Sequence, residues 1–437
     1  MYRGRCLPSR VSSRVKGRRY FERVPGNHAH FIIFLFASPL IENPPLSPLI
    51  VTPWYGGNHG GVAVATESLA HALLDAGSDC AILCLAPDGF SPRVSTGRRG
   101  EEVVEACVRR DAMARGSFTQ QLGYYARRRT AERTLRRLVA HHDIRIAHFH
   151  FFAQEFDLLM WLARDAGLAV VSTFHGSDIN ERLFNNATRA AVETMARLSD
   201  QITVVSSSLR DRLVTAVPEV ESRVSVVPNV VPTSFAHATA DDDRRESARW
   251  DVLLVGQLIH RKGGDVLLDA MSRVVRDIPN ARVAFAGTGD MESQLRAQAT
   301  RAGISSQVDF LGELSRDATL DAYRNSRIIA IPSRSEGLPL VLLEAQWLGI
   351  PVVASAVDGL AEAISDGENG LLVPSEDSAA LAGAITHLLS DEAYSAAIGT
   401  CARRRARYVF APEAMLRAVT HVYAEAHRSH TAMSRPK

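Results

Sequence analysis

The sequence predicts an α/β protein built from two Rossmann-like domains that face each other across a central cleft. Three observations predict it. From about residue 47 onward, short apolar runs alternate with helical patterns, the signature of strands and crossover helices around a parallel sheet. The alternation occurs in two series, separated by the polar, aperiodic stretch 233–249, where Ala240-Asp241-Asp242-Asp243-Arg244-Arg245-Glu246 reads as a linker. A chain of 437 residues is also longer than one ordinary core organises.

In the first series, Pro48-Leu49-Ile50-Val51-Thr52 reads as the opening strand. Gly56-Gly57 and Gly60-Gly61 follow, then a helical stretch over 62–76. Residues 80–85, 144–149, 169–173 and 201–205 read as further strands, and the series closes near Val224-Ser225-Val226-Val227-Pro228-Asn229. The second series starts at Val252-Leu253-Leu254-Val255-Gly256 and continues through 283–286, 308–310, 328–331, 352–354 and 371–373. A last helical stretch covers about 412–427. The division expected is an extension over 1–45, a first domain over 46–235, a linker over 236–249, a second domain over 250–410, and a final helix with its tail over 411–437.

Composition narrows the class. An apolar content of 46% with 22% charged residues is that of a soluble globular protein. The cysteines (Cys6, Cys80, Cys84, Cys107 and Cys401) form no CxxC or zinc-type pairing and are odd in number, which suits reduced thiols in the cytosol. Residues 1–45 carry eight Lys/Arg against Glu22 and Glu42, and the rest carries 42 bases against 46 acids. A body so close to neutral gives no support to nucleic-acid binding as the main activity. The basic start followed by Phe31-Ile32-Ile33-Phe34-Leu35-Phe36-Ala37 has the outline of a signal peptide. Its apolar run is far short of the roughly 20 residues that span a membrane. We expect a disordered or weakly membrane-associated extension, an export signal being the other reading.

The most informative segment is Ser335-Glu336-Gly337-Leu338-Pro339-Leu340-Val341-Leu342-Leu343-Glu344. It follows Arg327-Ile328-Ile329-Ala330-Ile331-Pro332, which reads as a buried parallel strand. Pro339 suits the first turn of a helix, where its missing N–H costs nothing. Glu336 then lies in the loop and Glu344 about two turns into the helix, expected to be partly exposed. Helical side chains lean toward the N-terminus, so Glu344 can reach back toward Glu336. Between them, free N–H groups of Leu338, Leu340 and Val341 on either side of Pro339, with the positive end of the helix dipole, make an anion site. Two carboxylates for hydroxyl groups beside an anion site describe a pocket for a nucleotide sugar. A plain helix with an acid at each end is the bland alternative.

This segment resembles the Glu-x7-Glu signature of retaining glycosyltransferases of the GT-B fold, in particular glycosyltransferase family 4, and other motifs follow in the expected order from about residue 47 to 410. The resemblance implies that the second domain holds a nucleotide-sugar donor and the first presents a glycan or lipid-linked acceptor. It assigns ribose hydroxyls to Glu344, hydroxyls of the transferred sugar to Glu336, and the leaving diphosphate to Lys262 and the helix N–H groups after Gly337. It implies retention by same-face displacement, no dedicated base, no metal and no cofactor beyond the donor. It also implies that the final helix returns to the first domain.

Gly256-Gln257-Leu258-Ile259-His260-Arg261-Lys262-Gly263 resembles the family's diphosphate loop, with Gln257 where an arginine is usual and Arg261 nearby as a compensating charge or a solvated one. Gly287-Thr288-Gly289-Asp290 allows a phosphate or base to approach the backbone, and serves equally as a plain turn. Thr173-Phe174-His175-Gly176-Ser177-Asp178 ends a strand with a histidine facing the crevice, which the resemblance places beside the transferred sugar and its leaving phosphate. Gly60-Gly61-Val62 resembles the glycine loop near donor phosphates and acceptor, with no GxGxxG for a dinucleotide enzyme.

His148 and His150 point the same way from a strand but gain no partners of metal-site pattern, and Asp241-Asp242-Asp243 lies in the linker, so no metal site is expected. No G-x-S-x-G elbow supports a serine hydrolase. Arg127, Arg128, Arg129, Arg133, Arg136 and Arg137 share a helix with Leu135, Leu138 and Val139, read either as a solvated face or as a surface for anionic lipid. The expected location is cytoplasmic, with the inner membrane face as its refinement. A sugar-nucleotide epimerase or phosphorylase of similar fold, or a catalytically weak scaffold, are the competing functions. The second draws on Gln257 and on Asn229-Val230-Val231, where the family usually has Asn-Gly-Val.

Overall fold

The structure, a computed structural model, describes residues 46–56, 60–86, 91–107, 118–153, 155–236 and 248–433. The extension 1–45, Gly57 and the linker acids Asp241, Asp242 and Asp243 lie outside the described residues. The described residues fold around two sheets.

The first sheet is formed by β1 (Pro48–Thr52), β2 (Ala81–Leu85), β3 (Arg93–Thr96), β4 (Glu102–Ala106), β5 (Ile146–His150), β6 (Ala169–Phe174), β7 (Gln201–Val204) and β8 (Val224–Val226), in the order β3-β4-β2-β1-β5-β6-β7-β8. All its neighbours are parallel except the β3–β4 pair. The second is formed by β9 (Trp250–Val255), β10 (Val283–Ala286), β11 (Val308–Gly312), β12 (Ser326–Ile331), β13 (Val352–Ser355) and β14 (Leu371–Val373), in the order β11-β10-β9-β12-β13-β14 and parallel throughout. Continuous apolar strands such as β1 and β12 are buried on both faces, which is what helices packed on either side of a parallel sheet require.

In each sheet the strand order reverses once. The reversal lies between β1 and β5 in the first sheet and between β9 and β12 in the second. Crevices outside the carboxyl ends of strands at such points bind ligands in open α/β sheets. The two lobes share apolar contact as well: Phe235 meets Tyr323 edge-on with ring centroids 5.5 Å apart. The helix Pro412–Met433 returns to the first sheet, where Leu416, Val419, Val422, Tyr423 and Ala426 join Ile50, Leu69, Leu73 and Ile82 in one core. Among the described residues, no helix is long and apolar enough to cross a membrane.

Candidate active site

The glutamate motif leaves the end of β12 and enters the helix Leu340–Leu348. Pro339 is the N-cap in extended conformation (ψ 137°), one position before the helix rather than in its first turn, and Gly349 closes the helix in the left-handed region at φ 72°. Glu344 is therefore a little over one turn into the helix. It is also not the partly exposed acid the sequence suggested. The run Leu-Val-Leu-Leu-Glu-Ala-Gln-Trp-Leu is apolar nearly all round, so the helix is buried and takes Glu344 with it, at 8% exposure. Tyr323 donates to Glu344 Oε2 at 2.7 Å, and burial pushes the Glu344 carboxyl up to about 7 despite that bond and the nearby Arg316.

Glu336 is buried as well, and its charge is compensated. Lys262 Nζ donates to Glu336 Oε1 at 2.6 Å, Ser333 Oγ donates to the same oxygen at 2.8 Å, and Arg261 Nη1 lies 3.6 Å from Oε2. Burial raises the Glu336 carboxyl, but Lys262 and Arg261 overcome it and hold it below the usual carboxylate range. Gly263 explains how the lysine loop reaches the motif. At φ 68°, a Cβ there would stand 2.0 Å from the Pro332 carbonyl oxygen, so only glycine lets the loop press against the end of β12. Arg261 is half-buried and forms a 3.0 Å ion pair with Glu181 across the cleft, whereas Gln257 is exposed.

The remaining positions group around the same crevice. Gly337 packs so closely on the first domain that a Cβ would lie 2.1 Å from the His175 carbonyl oxygen. Leu338 is buried, and Leu340 faces Gly61, whose added Cβ would meet its Cδ1 at 4.0 Å, so the glycine start of the helix Gly61–Asp75 stands opposite the start of the motif helix. Gly287 and Gly289 have a packing reason of their own. Side chains there would strike the backbones of Gly256 and Leu258 at 2.0 and 2.3 Å, which makes them spacers between the loops that follow β9 and β10.

His175 is half-buried, and its Nε2 lies 3.2 Å from His150 Nδ1. Burial lowers its pKa to about 4, against a hydrogen bond with Asn229, so the ring is neutral at physiological pH. Asp178 fixes the loop: its carboxylate accepts from the backbone N–H of His175, Gly176 and Ile179 at 2.7–3.1 Å.

Several participants carried no sequence signal. Asp358, held at φ 41°, accepts from Ser335 Oγ at 2.8 Å and the Glu336 N–H at 3.1 Å, and pairs with Arg212 of the first domain. Asn180 Nδ2 donates to Ser335 Oγ at 2.8 Å. Glu362 accepts from the N–H groups of Ser207 and Ser208 at the start of the helix Ser207–Ala216, at 2.8 and 2.6 Å, a favourable place for an anion. Arg316 reaches Glu67 from across the cleft. These are tertiary partners far apart in the chain, and no local pattern announces them. Asn229, quoted only for the residues after it, donates from Nδ2 to the Leu338 carbonyl at 2.9 Å. At the mouth of the first sheet, Trp54 is 41% exposed beside Phe151, with ring centroids 5.8 Å apart, and offers a flat apolar face.

For a metal, the only group of suitable side chains among the described residues is Glu102, His141 and His142, on the surface and outside this crevice. His142 already bonds Asp79 and Glu102 through its two ring nitrogens, at 2.7 and 2.9 Å.

Comparison with known proteins accords with this geometry. Residues 59–235 match the family described as Glycosyltransferase Family 4, and residues 239–405 the family described as Glycosyl transferases group 1. The chain is 29% identical over 290 residues to a GDP-mannose-dependent alpha-(1-6)-phosphatidylinositol monomannoside mannosyltransferase of Mycolicibacterium smegmatis, covering 63% of this chain and 75% of that protein. It is 26% identical over 394 residues to a glycogen synthase of Mycobacterium tuberculosis, covering 84% and 92%. Sucrose-phosphate synthase from Thermosynechococcus elongatus superposes with a TM-score of 0.70 at 21% identity, covering 89% of this chain and 100% of that one. Anabaena HepE in complex with UDP and glucose superposes with a TM-score of 0.69 at 18% identity, covering 86% and 99%. The fold is GT-B.

Proposed function

The chain belongs to glycosyltransferase family 4, and from that premise we propose that it moves a sugar from a nucleotide-sugar donor to a hydroxyl of a glycan or lipid-linked acceptor, with retention of anomeric configuration and without a metal. The observation that carries this reading is the cluster at the end of β12: Glu336 and Glu344 buried on either side of a helix start, with Lys262 against the first. Glu344, oriented by Tyr323, accepts from the ribose hydroxyls. Glu336 accepts from hydroxyls of the transferred sugar. Lys262 and the backbone N–H groups that open the helix Leu340–Leu348 meet the diphosphate, where negative charge grows as the bond breaks. Arg261 supplies the second positive charge that Gln257 does not.

The course of the reaction proposed here is the one the family resemblance implies. The acceptor oxygen bonds to the anomeric carbon on the face from which the diphosphate departs, the carbon–oxygen bond to the diphosphate breaks, and the acceptor's proton passes to the departing phosphate oxygen. No carboxylate base is needed. The resemblance puts His175, held neutral by burial, beside this centre as a polar contact. Trp54 offers a stacking face to an acceptor sugar. The relative's action on a phosphatidylinositol monomannoside supports a lipid-linked acceptor, and with it a cytoplasmic enzyme that works at the inner membrane face.

A thermal-shift screen of nucleotide sugars tests donor binding, because a ligand of the folded state at 100 times its Kd stabilises it by about 2.7 kcal/mol. One base class should raise the melting temperature of the wild type and not of Glu344→Gln. No shift with any nucleotide sugar contradicts the proposal.

A further inference from the structure

β5 ends in His148-Phe149-His150, and strand alternation turns both imidazoles to one side. They are buried at 1% and 4% exposure, where polar rings persist only with partners. The partners form a line. His150 Nδ1 faces His175 Nε2 at 3.2 Å, and His150 Nε2 faces His148 Nδ1 at 3.3 Å. His148 Nδ1 also lies 2.8 Å from the Tyr423 hydroxyl, and His148 Nε2 lies 2.6 Å from Thr173 Oγ1, which in turn bonds Thr203 Oγ1. At the other end, Asn229 bonds the His175 side chain and donates to the Leu338 carbonyl of the motif loop.

Counting protons makes the line run one way. A neutral imidazole has one N–H. If His150 donates from Nδ1 to His175, its Nε2 accepts from the Nδ1–H of His148, and His148 Nε2 accepts from Thr173. If His175 donates instead, His150 donates from Nε2 to His148 Nδ1, and His148 donates from Nε2 to Thr173. In either sense His148 and His150 share one tautomer, because unlike tautomers would set two N–H groups or two bare nitrogens against each other.

We propose that Thr203, Thr173, His148, His150, His175, Asn229 and the Leu338 carbonyl form a one-way hydrogen-bond chain, in which His148 and His150 are positioning residues that set the tautomer and ring orientation of His175 against the donor loop. The chain runs through β7, β6 and β5 and ends on the second domain, so it holds His175 in register with the start of the motif helix. Tyr423 ties the returning helix into the same line. The effect on turnover rests on the glycosyl-transfer reading; the tautomers do not.

Two measurements on the full chain test it. Long-range 1H–15N NMR of histidine-labelled protein, assigned with the His148→Asn and His150→Asn variants, should find both rings neutral and in the same tautomer, both Nδ1–H or both Nε2–H. Unlike tautomers at the two positions overturn the chain. In turnover, His150→Leu removes the partner of His175 Nε2 and should lower kcat by about 10²-fold with KM within about twofold, the scale of a misplaced group near the chemistry. His150→Asn sets an amide, able to donate or accept, near the place of Nδ1 and should restore kcat to within about fivefold of wild type. Equal losses in the two variants make His150 a packing residue and overturn the positioning role. If the wild type transfers no sugar, the function fails, and the NMR result still decides the chain.

Discussion

Lys262 stands 2.6 Å from Glu336 Oε1, so replacing it removes a charge from the proposed diphosphate site and uncovers a buried carboxylate together. Because diphosphate charge grows toward the transition state, Lys262→Ala should lower kcat by about 10²-fold and change KM little. Wild-type turnover in a folded Lys262→Ala protein means the phosphate loop is misassigned. Glu344 makes a prediction in pH. Its carboxyl is raised from 4.5 to about 7 by burial, so the folded state holds the proton more tightly, and stability falls as pH rises from about 4.5 to about 7. The slope is about 1.4 kcal/mol per pH unit where the difference is complete. His148 and His175, lowered to about 3 and about 4, have the opposite sign and cost stability as pH falls below 6.5. Denaturant melts should therefore be read as the difference between wild type and Glu344→Gln, which lacks the Glu344 slope. Parallel curves from pH 4.5 to 7 contradict the burial argument.

At the scale of elements, the core strands were legible because each is a continuous apolar run bounded by turn residues, as in Val283–Ala286. β3 was not: Arg93–Thr96 is exposed along its length and reads as loop, and its partner β4 has acids at two of its five positions. The exposure of Glu344 was misjudged from the residue alone, although the all-round apolar character of its helix indicates burial. The helix Phe118–His142 separates cleanly into faces. Ala131, Leu135 and Leu138 are buried, whereas Arg128, Arg129 and Arg133 are exposed, and Arg136 pairs with Glu132 at 2.9 Å. If this face meets anionic lipid, each charge contributes about 1 kcal/mol near the surface and less as salt rises. Co-sedimentation with anionic vesicles should fall with ionic strength and fall again when Arg128, Arg129 and Arg133 become alanine. Absence of binding at low salt removes the membrane from the account.

Across the molecule as a whole, polar contacts bridge the cleft. Arg212–Asp358, Arg261–Glu181, Arg316–Glu67 and the Glu362 carboxylate on Ser207 and Ser208 all join the lobes. Such contacts between residues distant in sequence have no periodicity or spacing to betray them, which is why the motif loops could be read and the groups that clamp them could not. Interfaces of this polar kind permit relative domain motion. Glu362→Ala should therefore increase the radius of gyration of the donor-free protein in small-angle scattering, with donor restoring the smaller value. An unchanged radius together with unchanged donor affinity contradicts a role for Glu362 in closure.

The central claim is that the Lys262–Glu336–Glu344 cluster transfers a sugar, and the most direct measurement is acceptor-dependent release of nucleoside diphosphate from a panel of nucleotide sugars, with Glu336→Gln alongside and with chelator present. The account predicts release from at least one donor when a glycan or glycolipid acceptor is added, undiminished by EDTA and reduced by about 10²-fold or more in Glu336→Gln. Equal release in wild type and Glu336→Gln, or activity abolished by EDTA and restored by Mn²⁺ or Mg²⁺, contradicts it.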